Sequence, residues 1–398
     1  MSHKNILKPI TINGVEIRNR VVMAPMATNE AHPPGYASEQ NKAMYGARAK
    51  GGVGLIILGG TYSTKAGWDT STFPGTFRLD IDHTMPSMAG LVERVHAFGA
   101  KIFVQLMDSH GRQGSSRMTG VQIASCTAEP LVAKEEDWPA GLRFPGGVLG
   151  ELPRELSISE IIALEDAAAD GAARAPACGF DGIEISCHHG YLAASFLSPR
   201  VNRRTDLYGG RFENRMRYIL NILRKVREKV GPDYPVGVRL VANEHMEGGL
   251  TLDDCVEAAK RLEDESADYI NLSDGFYEKM KYIFPDTDGL LLEHGEPQAF
   301  KRALKIPVIT PSIHNPDIAE KAIANGETDM IEMGRQLLAD PDWANKVRDG
   351  KAGEITTCDR DCFCNIRAAM FLPVRCKLNR NLGREQYMPE YEQPPFEY

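Results

Sequence analysis

Cys358, Cys362, Cys364 and Cys376 crowd toward the end of the chain, whereas Cys126, Cys178, Cys187 and Cys255 are scattered. The crowd is spaced Cys-x3-Cys-x-Cys-x11-Cys. Three thiolates in one loop plus a remote fourth form the ligand set of a [4Fe-4S] cluster or of a tetrahedral zinc ion. In a reducing compartment such a crowd points to a metal before it points to disulfides. Cys362 and Cys364 are separated by one residue, so the shape of their loop decides whether both can ligate. Arg360, Arg367, Arg375 and Lys377 stand among the cysteines and would offset cluster charge wherever they face it. A second chemical run is Ser186-Cys187-His188-His189-Gly190-Tyr191. A phenol of ordinary pKa, ~10, is protonated at neutral pH and can donate its proton.

The elements that must position these groups are legible as periodicity. Eight short apolar runs, rich in β-branched residues, read as buried parallel strands. They are Val21–Met26, Val53–Leu58, Lys101–Leu106, Gly182–Ser186, Val236–Val241, Tyr269–Leu272, Pro307–Ile309 and Met330–Met333. Helical patterns follow at Ile158–Ala177 (with Ser157 as its cap), Phe212–Val230, Leu252–Glu265, Pro316–Ala324 and Asp340–Asp349. This alternation predicts an α/β fold, a (β/α)8 TIM barrel. A doubly wound sheet is the rival, but no G-x-G-x-x-G turn occurs. Ile10–Ile17, with Asn13-Gly14 at its centre, predicts an N-terminal hairpin that closes the bottom of the barrel. The Gly- and Pro-rich stretch from Met107 to Glu155 reads as an active-site excursion. The expected division is a barrel over residues 1–350 and a cysteine-rich iron–sulfur segment with an extended tail over 351–398.

Composition narrows the class. Of 398 residues, 42% are hydrophobic and 25% charged, as in a soluble globular protein. The net charge of −8 argues against nucleic acid as a partner. The longest uncharged apolar stretch, Gly51 to Tyr62, falls short of the ~20 residues that span a bilayer. No apolar signal core follows Met1, so the expected location is cytoplasmic, with no membrane partner.

The run Asn202-Arg203-Arg204-Thr205-Asp206-Leu207-Tyr208-Gly209-Gly210-Arg211-Phe212-Glu213-Asn214-Arg215 resembles the signature of the Old Yellow Enzyme family of FMN-dependent oxidoreductases. Ala24-Pro25-Met26, Asp181–Ile185, His189–Leu192 and Gly334–Pro341 match the family as well, so the resemblance covers about residues 6–380. The late cysteines narrow it to the branch similar to 2,4-dienoyl-CoA reductase, 2-enoate reductase and trimethylamine dehydrogenase, which joins an FMN barrel to a [4Fe-4S] cluster. Many members continue into an FAD- and NAD(P)-binding module, and this chain shows no such module.

The resemblance implies a flavin site at the C-terminal ends of the strands. Pro25, Met26, Ala27 and Gly60 would meet the isoalloxazine, with Gln105 on its pyrimidine edge and Arg239 beside N1 and O2. Ser312, Gly334 and Arg335 would form the phosphate corner. Ala27 stands where the family usually carries a polar group. Of the family's substrate-holding pair only His189 survives, Ser186 replacing the first partner. Tyr191 aligns with the proton-donating tyrosine, and Tyr277 stands where dienoyl-CoA reductases place a catalytic histidine. The Gln105–Arg112 run carries one extra residue, which leaves His110 with a structural reading. Packing or strand-end hydrogen bonding is the reading for Cys187 and His188. Cys358, Cys362, Cys364 and Cys376 would hold the cluster, although the second cysteine is displaced from the family spacing.

The implied function is an ene-reductase that delivers hydride from reduced FMN to an α,β-unsaturated carbonyl, enoate or enoyl thioester, its electrons relayed by the cluster. The alternatives are an amine dehydrogenase and an electron-transfer subunit without a substrate of its own. A separate reductase, ferredoxin or flavodoxin-like protein is the expected electron donor, with NAD(P)H as a possible direct or indirect one. The chain is expected to form a homo-oligomer, and the acidic, aromatic tail Pro389–Tyr398 is expected to be a loose or subunit-clasping arm.

Overall fold

The computed structural model describes residues 3–392. Eight parallel strands close into a barrel: β1 (Val21–Met23), β2 (Leu55–Tyr62), β3 (Lys101–Met107), β4 (Gly182–Cys187), β5 (Val236–Val241), β6 (Ile270–Ser273), β7 (Val308–Pro311) and β8 (Met330–Met333). Each pairs with the next, and β8 pairs with β1 through Ile331–Val21, so the barrel has no free edge. All eight expected strands are present. Their ends differ where glycine and proline intervene. β1 stops at Met23 because Pro25 has no N–H for the ladder. β2 runs on to Tyr62 through a register shift at Gly59-Gly60. Gly60 has φ +65°, and a Cβ at Gly59 would stand 2.2 Å from the Met26 nitrogen. The glycine pair thus lets the loop after β1 lie against β2 at the mouth of the barrel.

The helices form where caps and an apolar stripe agree. Ser157 and Glu160 make a reciprocal capping box, as do Thr251 and Asp254. Two expected helices are shorter than their patterns. Ile158–Ala177 ends at Ala172, and a separate turn spans Arg174–Ala177, because Pro176 cannot continue the hydrogen-bond ladder. Asp340–Asp349 reduces to Trp343–Arg348, because Pro341 holds Asp340 extended at φ −138°.

At the N-terminal end of the barrel the hairpin Ile10–Ile12/Val15–Ile17 turns on Asn13 and Gly14, both at positive φ. Its Ile12 and Ile17 pack on Val22, Leu55, Phe103, Tyr269 and Met330 and close the barrel from below. The opposite end therefore carries the opening. The excursion between β3 and β4 holds two small strand pairs and short 3-10 turns beside it. After Gly350 the chain runs over the barrel and is anchored by the buried Arg48–Glu385 pair. In the tail, Pro389–Tyr391 forms a turn whose Tyr391 carbonyl accepts from Arg94, and residues 393–398 lie outside the described residues. No described helix is long and apolar enough to cross a membrane.

Candidate active site

A cavity of about 280 Å³ opens at the C-terminal ends of the strands. Pro25, Met26, Ala27, Gly60, Gln105, Arg239, Ser312, Gly334 and Arg335 all line it, together with His189, Tyr191 and Tyr277. Of the four late cysteines only Cys364 reaches its wall.

The floor is a buried polar network. Arg239 on β5 donates to both oxygens of Glu332 on β8, at 2.6 and 2.9 Å. Asn271 on β6 donates to Glu332 at 2.7 Å and to Glu184 at 2.8 Å, and Gln105 on β3 donates to the other oxygen of Glu184 at 2.8 Å. Burial pushes the Glu184 carboxyl up to about 7, with Arg239 opposing and Glu332 adding to the rise. Nε of Arg239 and Oγ of Ser273 are buried without a hydrogen-bond partner among the described residues, and both residues border the cavity. Unpaired donors at the edge of a large cavity suit a polar planar ring and would be costly without one.

Tyr191 and Tyr277 come from different loops yet share one hydrogen bond, 2.6 Å between hydroxyl oxygens. The sequence shows how they are held. Tyr191 caps the helix Leu192–Leu197, and its neighbour Gly190 at φ +85° passes so close to Gln113 and Phe276 that a Cβ would clash. Gln113 grips the His189 carbonyl at 2.7 Å. Glu278, next to Tyr277, pairs with the buried Arg112, while Lys279 and Lys281 both reach Asp137. Burial raises both phenols, and the shared hydrogen bond raises Tyr191 further while lowering Tyr277. Either hydroxyl can serve as the donor in the pair.

Two residues assigned to packing by sequence stand in the same wall. His188 accepts or donates at Nδ1 to Ser186 Oγ, 3.0 Å away, and its ring lies 4.3 Å from that of His189. His110 meets the Tyr62 hydroxyl at 2.8 Å and packs edge-on to Tyr191. Burial holds His188 and His189 well below the usual imidazole range, Arg239 adding to the effect, and pushes His110 down to about 3. Burial thus favours the neutral form of all three. The one signal available for them was their type at a strand end.

The corner formed by Ser312 (φ +63°), Gly334 and Arg335 carries a bond that the sequence did not suggest. Arg335 donates to the Pro285 carbonyl at 3.1 Å and to Cys362 Sγ at 3.6 Å, so one guanidinium spans the cavity corner and the cysteine segment. Cys362 takes a left-handed φ of +60°, as Arg360 does two residues earlier. The Arg360 N–H lies 3.4 Å from Cys358 Sγ. Burial pushes Cys364 up to about 12, Arg335 opposing and the other three thiols adding to the rise. The four thiols are free and surround one region, yet no three of their sulfurs lie within 4.8 Å of one another. A tetrahedral zinc with Zn–S of about 2.3 Å needs sulfurs about 3.8 Å apart. Asp361, which stands at the family's spacing for the second cysteine, pairs with Lys377 instead.

Residues 5–354 match the model of the NADH:flavin oxidoreductase / NADH oxidase family. The chain belongs to this family. Its members are FMN-dependent oxidoreductases of the Old Yellow Enzyme type, and the protein is an enzyme of that class. The NADH oxidase of Thermoanaerobacter brockii is 39% identical over 407 residues, covering 99% of this chain and 59% of that protein. The cinnamate reductase of Clostridium sporogenes is 33% identical, covering 96% of this chain and 59% of its own length. Among solved structures, a 2-naphthoyl-CoA reductase complex superposes with a TM-score of 0.87 at 28% identity, over 98% of this chain and 59% of that one. This flavoenzyme therefore spans about three-fifths of the length of these relatives.

Proposed function

We propose that this flavoenzyme reduces activated alkenes: α,β-unsaturated carbonyls, enoates or enoyl thioesters. The observation that carries the proposal is the Tyr191–Tyr277 hydroxyl pair at 2.6 Å, set in the cavity wall beside two neutral imidazoles. FMN, held by the residues that line the cavity mouth, supplies hydride chemistry. The chain's own residues supply the rest. His189, with His188 beside it, donates a hydrogen bond to the activating carbonyl without adding a fixed charge. Tyr191 protonates the α-carbon, and Tyr277 stands behind it as the next proton source. Arg239 places a positive charge at the floor where negative charge collects on reduction.

The four late cysteines, in this reading, would hold a [4Fe-4S] cluster, and Cys364 is the one of them that lines the cavity. A separate reductase, ferredoxin or flavodoxin-like protein delivers the electrons, NAD(P)H alone being the slower donor. In this reading the enzyme is cytoplasmic and works as a homo-oligomer. An amine dehydrogenase is the second reading. It is favoured by Trp138, which lines the cavity with its buried Nε1 unpartnered among the described residues, as an aromatic wall for a cation. An anaerobic screen separates the two. Reoxidation of the reduced flavin by an enone, enoate or enoyl thioester supports alkene reduction. Bleaching of the oxidised flavin by secondary or tertiary amines, with no response to alkenes, overturns it.

A further inference from the structure

Behind the wall that carries the two tyrosines, three ligating groups converge from three elements. His245 follows β5, Asp274 follows β6, and Glu296 is the first residue of the helix Glu296–Ala303. His245 Nε2 lies 2.8 and 2.9 Å from the two oxygens of Asp274 and 3.8 Å from Glu296 Oε1. One ligand atom from each residue falls within 4.8 Å of the other two.

The histidine is held for this direction. Its backbone sits at a left-handed φ of +55°, and its N–H is fixed by Asn243 Oδ1 at 2.9 Å. Its ring stacks on Tyr282 with centroids 3.7 Å apart and planes 8° from parallel. A His–Asp pair alone would be an ordinary ion pair. Glu296 is what such a pair leaves unexplained. It is 2% exposed, and its Oε2 has no hydrogen-bond partner among the described residues. Two buried carboxylates around one imidazole carry a desolvation cost that only a cation or protons can relieve. The nearest ammonium groups, Lys279 and Lys281, are committed to Asp137 at 2.8 and 3.1 Å.

We propose that His245, Asp274 and Glu296 form a divalent-cation site. One imidazole nitrogen and two carboxylates make a mixed N/O set suited to a first-row ion such as Mn²⁺, Fe²⁺ or Zn²⁺. The ion enters as the Nε2 proton leaves, since the imidazole must ligate in its neutral form. Asp274 and Tyr282 both border the cavity. The bound ion would tie the loop after β5, the end of β6 and the helix at Glu296 into one unit behind Tyr277.

The test uses the holoenzyme, freed of bound metal with EDTA, dialysed, and titrated with MnCl₂ while free Mn²⁺ is read from its six-line EPR signal. Mn²⁺, a hard ion, prefers the carboxylates of this set to the thiols. The expected result is one Mn²⁺ per chain, with binding weakened at least tenfold in Glu296→Gln and in His245→Ala. Should His245→Ala fail to fold, the near-isosteric Glu296→Gln decides. No saturable loss of signal with the wild type, or wild-type affinity retained by Glu296→Gln, overturns the proposal.

Discussion

Arg239 and Glu332 face each other across the interior of the barrel, with Nη1 at 2.6 and 2.9 Å from the two carboxylate oxygens. A carboxylate at contact distance quenches much of the field that Arg239 casts into the cavity. Glu332→Gln keeps the shape of the side chain and removes its charge. The flavin midpoint potential should then rise by tens of millivolts. About 30 mV of a two-electron couple is ~1.4 kcal/mol, a fraction of the ~4 kcal/mol that a contact pair is worth at an effective dielectric of 20. Dye-linked spectroelectrochemistry measures it. An unchanged or lowered potential would show that Glu332 is not the counter-charge that matters.

The two hydroxyls share one hydrogen bond at 2.6 Å, and Tyr191 is the proposed proton donor to the alkene. Tyr191→Phe should slow alkene reduction by ~10²–10⁴. Tyr277→Phe should cost less, since Tyr191 keeps its proton. Reduction of the flavin by its donor should be unaffected in both. Single-turnover kinetics of each half-reaction check this. A larger loss in Tyr277→Phe than in Tyr191→Phe would reverse the roles.

Arg335 links the cavity corner to Cys362. Arg335→Ala should lose flavin on gel filtration, whereas Arg335→Lys should keep part of it, a point charge replacing a fork. Flavin absorbance per chain after the column measures both. Full retention of flavin by Arg335→Ala would remove the arginine from the site.

Much of this architecture was legible in the residues. The eight strands stood out because each is apolar on both faces, and Ser157 announced its helix. Glu39–Lys50 did not stand out. It buries Asn41 and Arg48 as well as its apolar residues, so it shows no clean stripe, and only the Ser38/Asn41 capping box marks its start. The cavity residues that the resemblance named do share one cavity, but their partners were hidden. Glu332 and Glu184 are charges inside apolar strands, and their pairing with Arg239 and Asn271 appears only in the folded barrel. His110 and Tyr62 meet across 48 positions of sequence, and nothing local foretells that contact. The turn that swings Cys362 toward Arg335 depends on a left-handed backbone that cysteine seldom adopts. His245, Asp274 and Glu296 come together only because the barrel sets β5 beside β6.

The Glu30–Arg375 pair joins the loop after β1 to the cysteine segment. Burial pushes the Glu30 carboxyl from 4.5 up to about 7, Arg375 opposing. Between those values the folded chain holds a proton that the unfolded chain has lost. This group therefore makes stability fall as pH rises from about 4.5 to 7, by about 3 kcal/mol at most, and level off above. Glu30→Gln should flatten that part of the profile. Urea unfolding of both proteins at several pH values in this window measures the difference, and parallel profiles would contradict the shift.

The most direct test of alkene reduction is anaerobic stopped-flow mixing of the fully reduced protein with a series of enones, enoates and enoyl thioesters, followed at the flavin absorbance band. At least one class should reoxidise the flavin at a rate that saturates with alkene concentration and yield the saturated product, and Tyr191→Phe should slow that phase by ~10²–10⁴. A reduced flavin that no alkene reoxidises, or a reoxidation equally fast in Tyr191→Phe and Tyr277→Phe, would contradict the assignment.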